Sequence, residues 1–288
     1  MWIQRFVETK RGKFELFEKG EGEPLAITHL YSEFDIRGNA FASPFTELHH
    51  VYLINLRGAG NSVGAQNESE YSMDETVLDL EAIREALGIE KWAFGGHSTG
   101  GMLALKYAVL KESSLTKIIV SGAAASIRYN TDPNSIYNNE NPNFNRIREI
   151  MNAFNDPDLP VEERKKLSRE WTLMSFYKEE NLAKAYEKPS SAKTVGERLD
   201  YFRKVDCQSY DVTEQIKQVT IPAYVCSGLH DAQCPYRFGV EIADLIPNAT
   251  LTTFEQSNHY PFWEEEQTFN EFVKLTAETK QYSKKVSN

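Results

Sequence analysis

Apolar and polar positions change period along this chain, and the changes mark its elements. Residues 2–17 alternate in two pieces around Lys10-Arg11-Gly12-Lys13, which predicts a β-hairpin. Short apolar runs at 24–29, 51–55, 92–94, 118–121, 223–227 and 249–254 are bounded by turn residues and predict buried strands. Between them the period lengthens to that of a helix. Ser72-Met73-Asp74-Glu75 is a capping box, opening a helix whose apolar face carries Val77, Leu78, Leu80, Ile83 and Leu87 and which Gly88 ends. Further helices are predicted over 102–110, after Pro235, and over roughly 264–279. Strands alternating with helices predict a mostly parallel central sheet with helices on both faces, in which ligands bind beyond the carboxyl ends of the strands.

This rhythm breaks after Ala125. A turn-rich stretch with an asparagine cluster (130–143) reads as a solvated loop, and helical patterns follow near 144–154, 161–174, 181–186 and 195–202. The chain therefore divides into a core at 1–125 and 206–288 and a helical insertion at 126–205. The insertion is rich in aromatics, Trp171 among them, which divide between internal packing and the wall of a pocket.

The stretch Gly95-Gly96-His97-Ser98-Thr99-Gly100-Gly101 lies between a predicted strand and a predicted helix. A strand, a tight turn with serine at its apex and a helix form a nucleophile elbow. Side chains at Gly96 or Gly100 would collide with neighbouring backbone, and the helix N-terminus offers free N–H groups to an oxyanion. The alternative is a glycine-rich turn that merely packs closely.

A serine hydroxyl needs a base, and the base needs an orienting acid. The chain has 6 His. His259 lies in a loop between the last predicted strand and the terminal helix, where a movable base belongs; Asp231 follows the strand at 223–227. Asp231 could instead be a turn-capping acid, and His259 a surface-loop histidine. His230 is next to Asp231 in sequence, which makes it a poor partner in space. The order Ser98, Asp231, His259 is that of one serine-triad fold among several. The span from Ser98 to Asp231 exceeds two βα units, which the insertion explains.

At these residues the chain resembles the α/β-hydrolase superfamily, and more narrowly its branch of proline iminopeptidases and esterases. The resemblance extends to Asn55-Leu56-Arg57-Gly58-Ala59-Gly60-Asn61-Ser62 and covers nearly the whole chain. It implies an α/β-hydrolase fold with a helical cap at 126–205, and an oxyanion hole from the N–H groups of Thr99 and Tyr31. His29, His97 and Trp171 are candidate substrate-binding residues. Two positions depart from the pattern. Leu30 stands where the family carries glycine in the oxyanion loop, and Asn55, read as structural, where it carries aspartate. Ser98 separates the chain from the epoxide hydrolases and haloalkane dehalogenases, which place aspartate at the elbow.

The resemblance implies a two-step acyl transfer on an ester or amide of a small molecule or short peptide. A proline iminopeptidase is the second reading. It would need carboxylates for a free amine, for which Glu33, Glu140, Glu149, Glu179, Glu180 and Glu187 lie in suitable regions. A non-catalytic ligand-binding member of the fold is the third. No spacing implies a metal or an organic cofactor.

Composition narrows the setting. The 288 residues are 41% hydrophobic and 26% charged, with a net charge of −10, which argues against nucleic acid or an anionic membrane as partner. Cys207, Cys226 and Cys234 form neither a disulfide framework nor a zinc motif, and Cys226 and Cys234 read as packing residues. Without a signal-like or membrane-length apolar run, a cytoplasmic location is expected. Oligomeric state is left open.

Overall fold

A computed structural model describes residues 1–154, 156 and 158–277. In chain order it runs β1 (Ile3–Thr9), β2 (Gly12–Lys19), β3 (Glu23–Ile27), β4 (Ser32–Glu33), β5 (His49–Ile54), α1 (Met73–Ala86), β6 (Trp92–His97), α2 (Thr99–Lys111) and β7 (Leu115–Ser121). There follow α3 (Phe144–Phe154), α4 (Val161–Leu173), α5 (Glu179–Tyr186), β8 (Lys193–Thr194) and α6 (Gly196–Tyr201). A π turn (Phe202–Asp206) joins α6 to α7 (Cys207–Ser209), and β9 (Ala223–Gly228), α8 (Tyr236–Leu245), β10 (Ala249–Phe254), α9 (Pro261–Glu264) and α10 (Glu266–Ala277) complete the described chain.

Eight strands form one sheet in the order β1-β2-β5-β3-β6-β7-β9-β10, antiparallel at β1-β2-β5 and parallel from there on. Its central strands are apolar at consecutive positions because both faces are buried. Ala26, Tyr52, Ile54, Ile118, Val120 and Val225 pack into one core with α1, α2 and α8. Their neighbours Leu25, Val51, Leu53, Ile119, Tyr224 and Cys226 pack into a second core with Phe269 and Phe272 of α10. The period of two in a strand sends adjacent residues into different layers.

Several sequence expectations change. Leu78, expected on the buried face of α1, is exposed, because Val77, Leu80 and Ile83 already fill that face. The terminal helix is two, α9 and α10, and its expected end at Thr279 lies outside the described residues. The asparagine-rich stretch is no simple solvated loop. Asx turns at Asp132, Asn138 and Asn141 fold it back, Ile136 is fully buried, and the Ile136 N–H donates to Ala232 O at 2.8 Å. This segment thereby braces the loop that carries Asp231. The pairing of β4 with β8 was not foreseen; it ties the loop after β3 to the helical segment.

Candidate active site

Ser98 sits between β6 and α2 with φ 55°, the one non-glycine residue at positive φ among those described. A β-carbon at Gly96 would lie 2.2 Å from the Gly100 carbonyl carbon, and one at Gly100 would lie 2.3 Å from Thr28 O. The elbow therefore closes only with glycine at both positions, and the second brings the loop after β3 against the start of α2. The strain at Ser98 is held by its N–H, which donates to Ser121 O at 2.8 Å.

Asp231 and His259, both nearly inaccessible, meet beyond the ends of β9 and β10. His259 Nδ1 donates to the Asp231 carboxylate, at 2.9 Å from Oδ2 and 3.0 Å from Oδ1, leaving the Nε2 lone pair as the basic site. Asp231 Oδ1 also accepts the N–H groups of Gln233 and Cys234, at 2.8 and 2.9 Å. It is thus a turn-capping acid and a histidine partner at once. The loops can meet because residue 228 is glycine: a β-carbon there would lie 1.9 Å from Asn258 O. The His259 loop, expected to be movable, is hydrogen-bonded to the segment just after α4. The His259 N–H donates to Ser175 O at 3.1 Å, and Asn258 Nδ2 to Met174 O at 3.3 Å. His230 turns away and stacks on Tyr177, ring centroids 4.3 Å apart.

Around these residues opens a cavity of about 700 Å³, lined by Ser98 and His259 and by residues of α3, α4 and α6. His29, Tyr31, His97 and Trp171 all line it. His97 packs against His259 with centroids 4.4 Å apart; its Nδ1 meets Ser121 Oγ at 3.1 Å, and its buried Nε2 has no hydrogen-bond partner among the described residues. Burial and the neighbouring His259 keep its pKa well below the usual histidine range. Trp171 stacks on Phe154.

His29 joins the two residues expected to supply the oxyanion hole. Burial drops its pKa to about 3, so the ring is neutral. The Tyr31 N–H reaches Nδ1 at 3.4 Å and Ser32 Oγ lies 2.9 Å from the same nitrogen, so Nε2 carries the proton toward Thr99 Oγ1 at 3.2 Å. Leu30 is tolerated because its φ is not positive, so the loop needs no glycine there, and its side chain is buried in the core.

Arg198 was not singled out from the sequence. Although charged, it is almost fully buried, and burial lowers its pKa to about 10, still cationic at neutral pH. Its Nε donates to Leu30 O, its Nη1 to Arg57 O at 3.0 Å and its Nη2 to Thr76 Oγ1 at 2.8 Å. Leu30 C=O and Tyr31 N–H belong to one trans peptide plane and point opposite ways. By holding the carbonyl, Arg198 directs the Tyr31 N–H away from itself.

Asn55 is structural. Its Oδ1 accepts the Phe34 N–H at 2.7 Å, and its Nδ2 donates to Glu15 Oε2 at 2.8 Å and to Phe34 O at 3.0 Å. Glu15, itself buried, also accepts from Asn61, and these bonds outweigh burial to hold its pKa below the usual range. An acid at position 55 would face this carboxylate.

Cys226 and Cys234 are buried thiols; burial pushes the first up to about 12 and the second well above the usual range. Among the described residues no helix is long and apolar enough to cross a membrane, and no group of three or more His, Cys, Asp or Glu is arranged to hold a metal.

Comparison with known proteins identifies the family of the fold. The model of the alpha/beta hydrolase fold family matches residues 32–266. The chain belongs to that family, and it is a hydrolase. A proline iminopeptidase of Saccharolobus solfataricus is 26% identical over 247 residues, covering 78% of this chain and 74% of the relative. Another, from Heyndrickxia coagulans, is 24% identical and covers 93% of this chain and 96% of the relative. Among solved structures, an alpha/beta fold family hydrolase from Bacillus anthracis superposes with a TM-score of 0.95 at 60% identity, covering 96% of this chain and 99% of that one. An esterase from Exiguobacterium antarcticum shares the fold, with a TM-score of 0.73 at 20% identity over 96% of this chain and all of that one.

Proposed function

We propose that this protein is a serine hydrolase that cleaves an ester or amide of a small molecule through a covalent acyl-enzyme. One observation carries the reading: a paired and buried His259–Asp231 shares a cavity with the positive-φ Ser98. Ser98 Oγ attacks the substrate carbonyl carbon and gives its proton to His259 Nε2. Asp231 fixes the Nδ1–H tautomer and stabilises the imidazolium. The tetrahedral oxyanion is received by the N–H groups of Thr99, at the first turn of α2, and Tyr31, whose contact with His29 is long enough to yield to a stronger acceptor. Collapse breaks the scissile bond, and the leaving group departs with the proton from His259. Water, deprotonated by His259, attacks the acyl carbon; Ser98 leaves as the restored hydroxyl and the acid is released. The segment 126–205 acts as a cap, its aromatics including Trp171 forming one wall, with His29 and His97 beneath the substrate.

The iminopeptidase reading rests on the named relatives. The lining of the cavity favours the ester reading. Of the six glutamates that could have received a free amine none lines it, and Glu33, Glu149 and Glu179 are paired with Lys193, Arg146 and Arg169. The non-catalytic reading gains nothing from relatives that are themselves hydrolases. Three unpaired cysteines support a reducing, cytoplasmic setting.

Labelling with a fluorophosphonate tests the reading. Fast labelling of the wild type, absent in Ser98→Ala and His259→Ala, is the expected result; a folded wild type that does not label overturns it. Hydrolysis of a proline-amide chromophore well above that of short acyl esters would put the aminopeptidase first.

A further inference from the structure

The charges lining the cavity are unequally partnered. Arg164 donates to the carbonyls of Phe154 and Asp156, and Lys193 reaches Glu33 at 3.3 Å. Asp200, the one carboxylate among the described lining residues, is held by Lys204 at 3.0 Å. Arg203 differs from all of these. It is half-buried, it lines the cavity, and among the described residues its guanidinium has neither an ion pair nor a hydrogen bond.

Local backbone accounts for its position. Arg203 lies in the π turn that continues α6, where the wider ladder changes the direction of successive side chains. Asp206 of the same turn points back to α1, accepting the Met73 N–H at 3.2 Å, while Arg203 lines the cavity. The nearby polar groups are occupied: Tyr137 Oη donates to Gln233 Oε1 at 2.7 Å, and Gln233 Nε2 to Ser175 Oγ at 2.9 Å. The field of Arg203 reaches the oxyanion loop. Burial pushes the Tyr31 hydroxyl up to about 12, against the opposing effects of Thr99 and of the Arg203 charge.

We propose that Arg203 is an anion subsite of this cavity and that the natural substrate is an ester or amide whose acyl or leaving part carries a carboxylate. The proposal rests on the serine-hydrolase reading and names its substrate class. A guanidinium presents a planar fork that matches a carboxylate, and a charge-assisted bond in a partly enclosed cavity is stronger than one in open water. The same cation repels a free N-terminal ammonium, and no lining carboxylate is free to offset it.

The experiment uses two matched ester pairs on the full chain: 4-nitrophenyl butyrate with 4-nitrophenyl hydrogen glutarate, and 4-acetoxybenzamide with 4-acetoxybenzoate. In the wild type the anionic member of at least one pair should lead in kcat/KM by about tenfold or more. In Arg203→Gln that ratio should fall toward one, and in Arg203→Glu below it. Using ratios within each variant cancels any loss of folded enzyme. Ser98-dependent turnover with ratios near one in the wild type, or a preference that survives Arg203→Gln, overturns the subsite alone. No Ser98-dependent turnover of any of the four esters overturns the hydrolytic reading beneath it, and the subsite with it.

Discussion

Arg198 is predicted to set the activity of a site it does not touch. Replacing it with methionine keeps much of the packing volume and removes donors from Leu30 O, Arg57 O and Thr76 Oγ1. Two buried carbonyls left without partners cost about 1–3 kcal/mol each, partly offset because a desolvated guanidinium is itself unfavourable. A net loss of about 2–4 kcal/mol follows, a fall in Tm of roughly 3–7 °C for a chain of this size. The kinetic effect is separate. Once the Leu30 carbonyl is released, the Leu30–Tyr31 peptide plane can rotate and withdraw the Tyr31 N–H. Losing one oxyanion donor lowers kcat by about 10²–10³. The assay is steady-state hydrolysis of a short acyl ester, with active sites counted by fluorophosphonate titration so that unfolded protein drops out. The expected pattern is a large fall in kcat per titrated site with KM within about threefold, since ground-state binding is little altered. Arg198→Lys, which keeps the charge but not the fork, should recover part of the stability and less of the rate. A folded Arg198→Met with kcat within about twofold of wild type would refute the reasoning and leave Arg198 a purely structural residue.

Three further predictions concern the frame around the site. Asn55→Asp sets a second carboxylate against Glu15, 2.8 Å from the present amide; at pH 7 one acid must hold a proton some three units above its ordinary pKa, a cost of up to about 4 kcal/mol. Urea denaturation should show this loss at pH 7.5, a smaller one near pH 5, and rescue by Glu15→Gln. Asp206 has its pKa raised from 3.8 to about 6, chiefly by burial, so the folded state binds its proton more tightly than the unfolded chain. Its charge therefore opposes folding fully above pH 6 and not at all below pH 4. Asp206→Asn, which can still accept the Met73 N–H, should stabilise by about 1–2 kcal/mol at pH 8 after discounting for partial exposure, and the gain should vanish toward pH 4. Gly100→Ala places a β-carbon against Thr28 O and must push the oxyanion loop off α2; labelling by a fluorophosphonate should slow at least about tenfold even in the fraction that folds.

Much was legible in the sequence because the signals are local. Consecutive apolar residues in 51–54 and 118–120 announce strands buried on both faces, and those residues do divide between the two cores. The glycines around Ser98 announce a turn that no side chain can enter, and placement in loops after predicted strands, with the chain order, pointed to Asp231 and His259, which the fold brings to 2.9 Å. What tertiary structure decided is what residues far apart in the chain do to one another. Arg198 grips the carbonyl of Leu30 across 168 positions, and nothing in either neighbourhood announces it. Leu30 and Asn55, departures when read along the chain, are accommodated because backbone φ and a buried Glu15 make them fit. The charge of the cavity was hidden for the same reason. Helical spacing shows which residues share a face, but which charges are cancelled by partners and which remain, as at Arg203, depends on distances in three dimensions that fall off too steeply to be read from order.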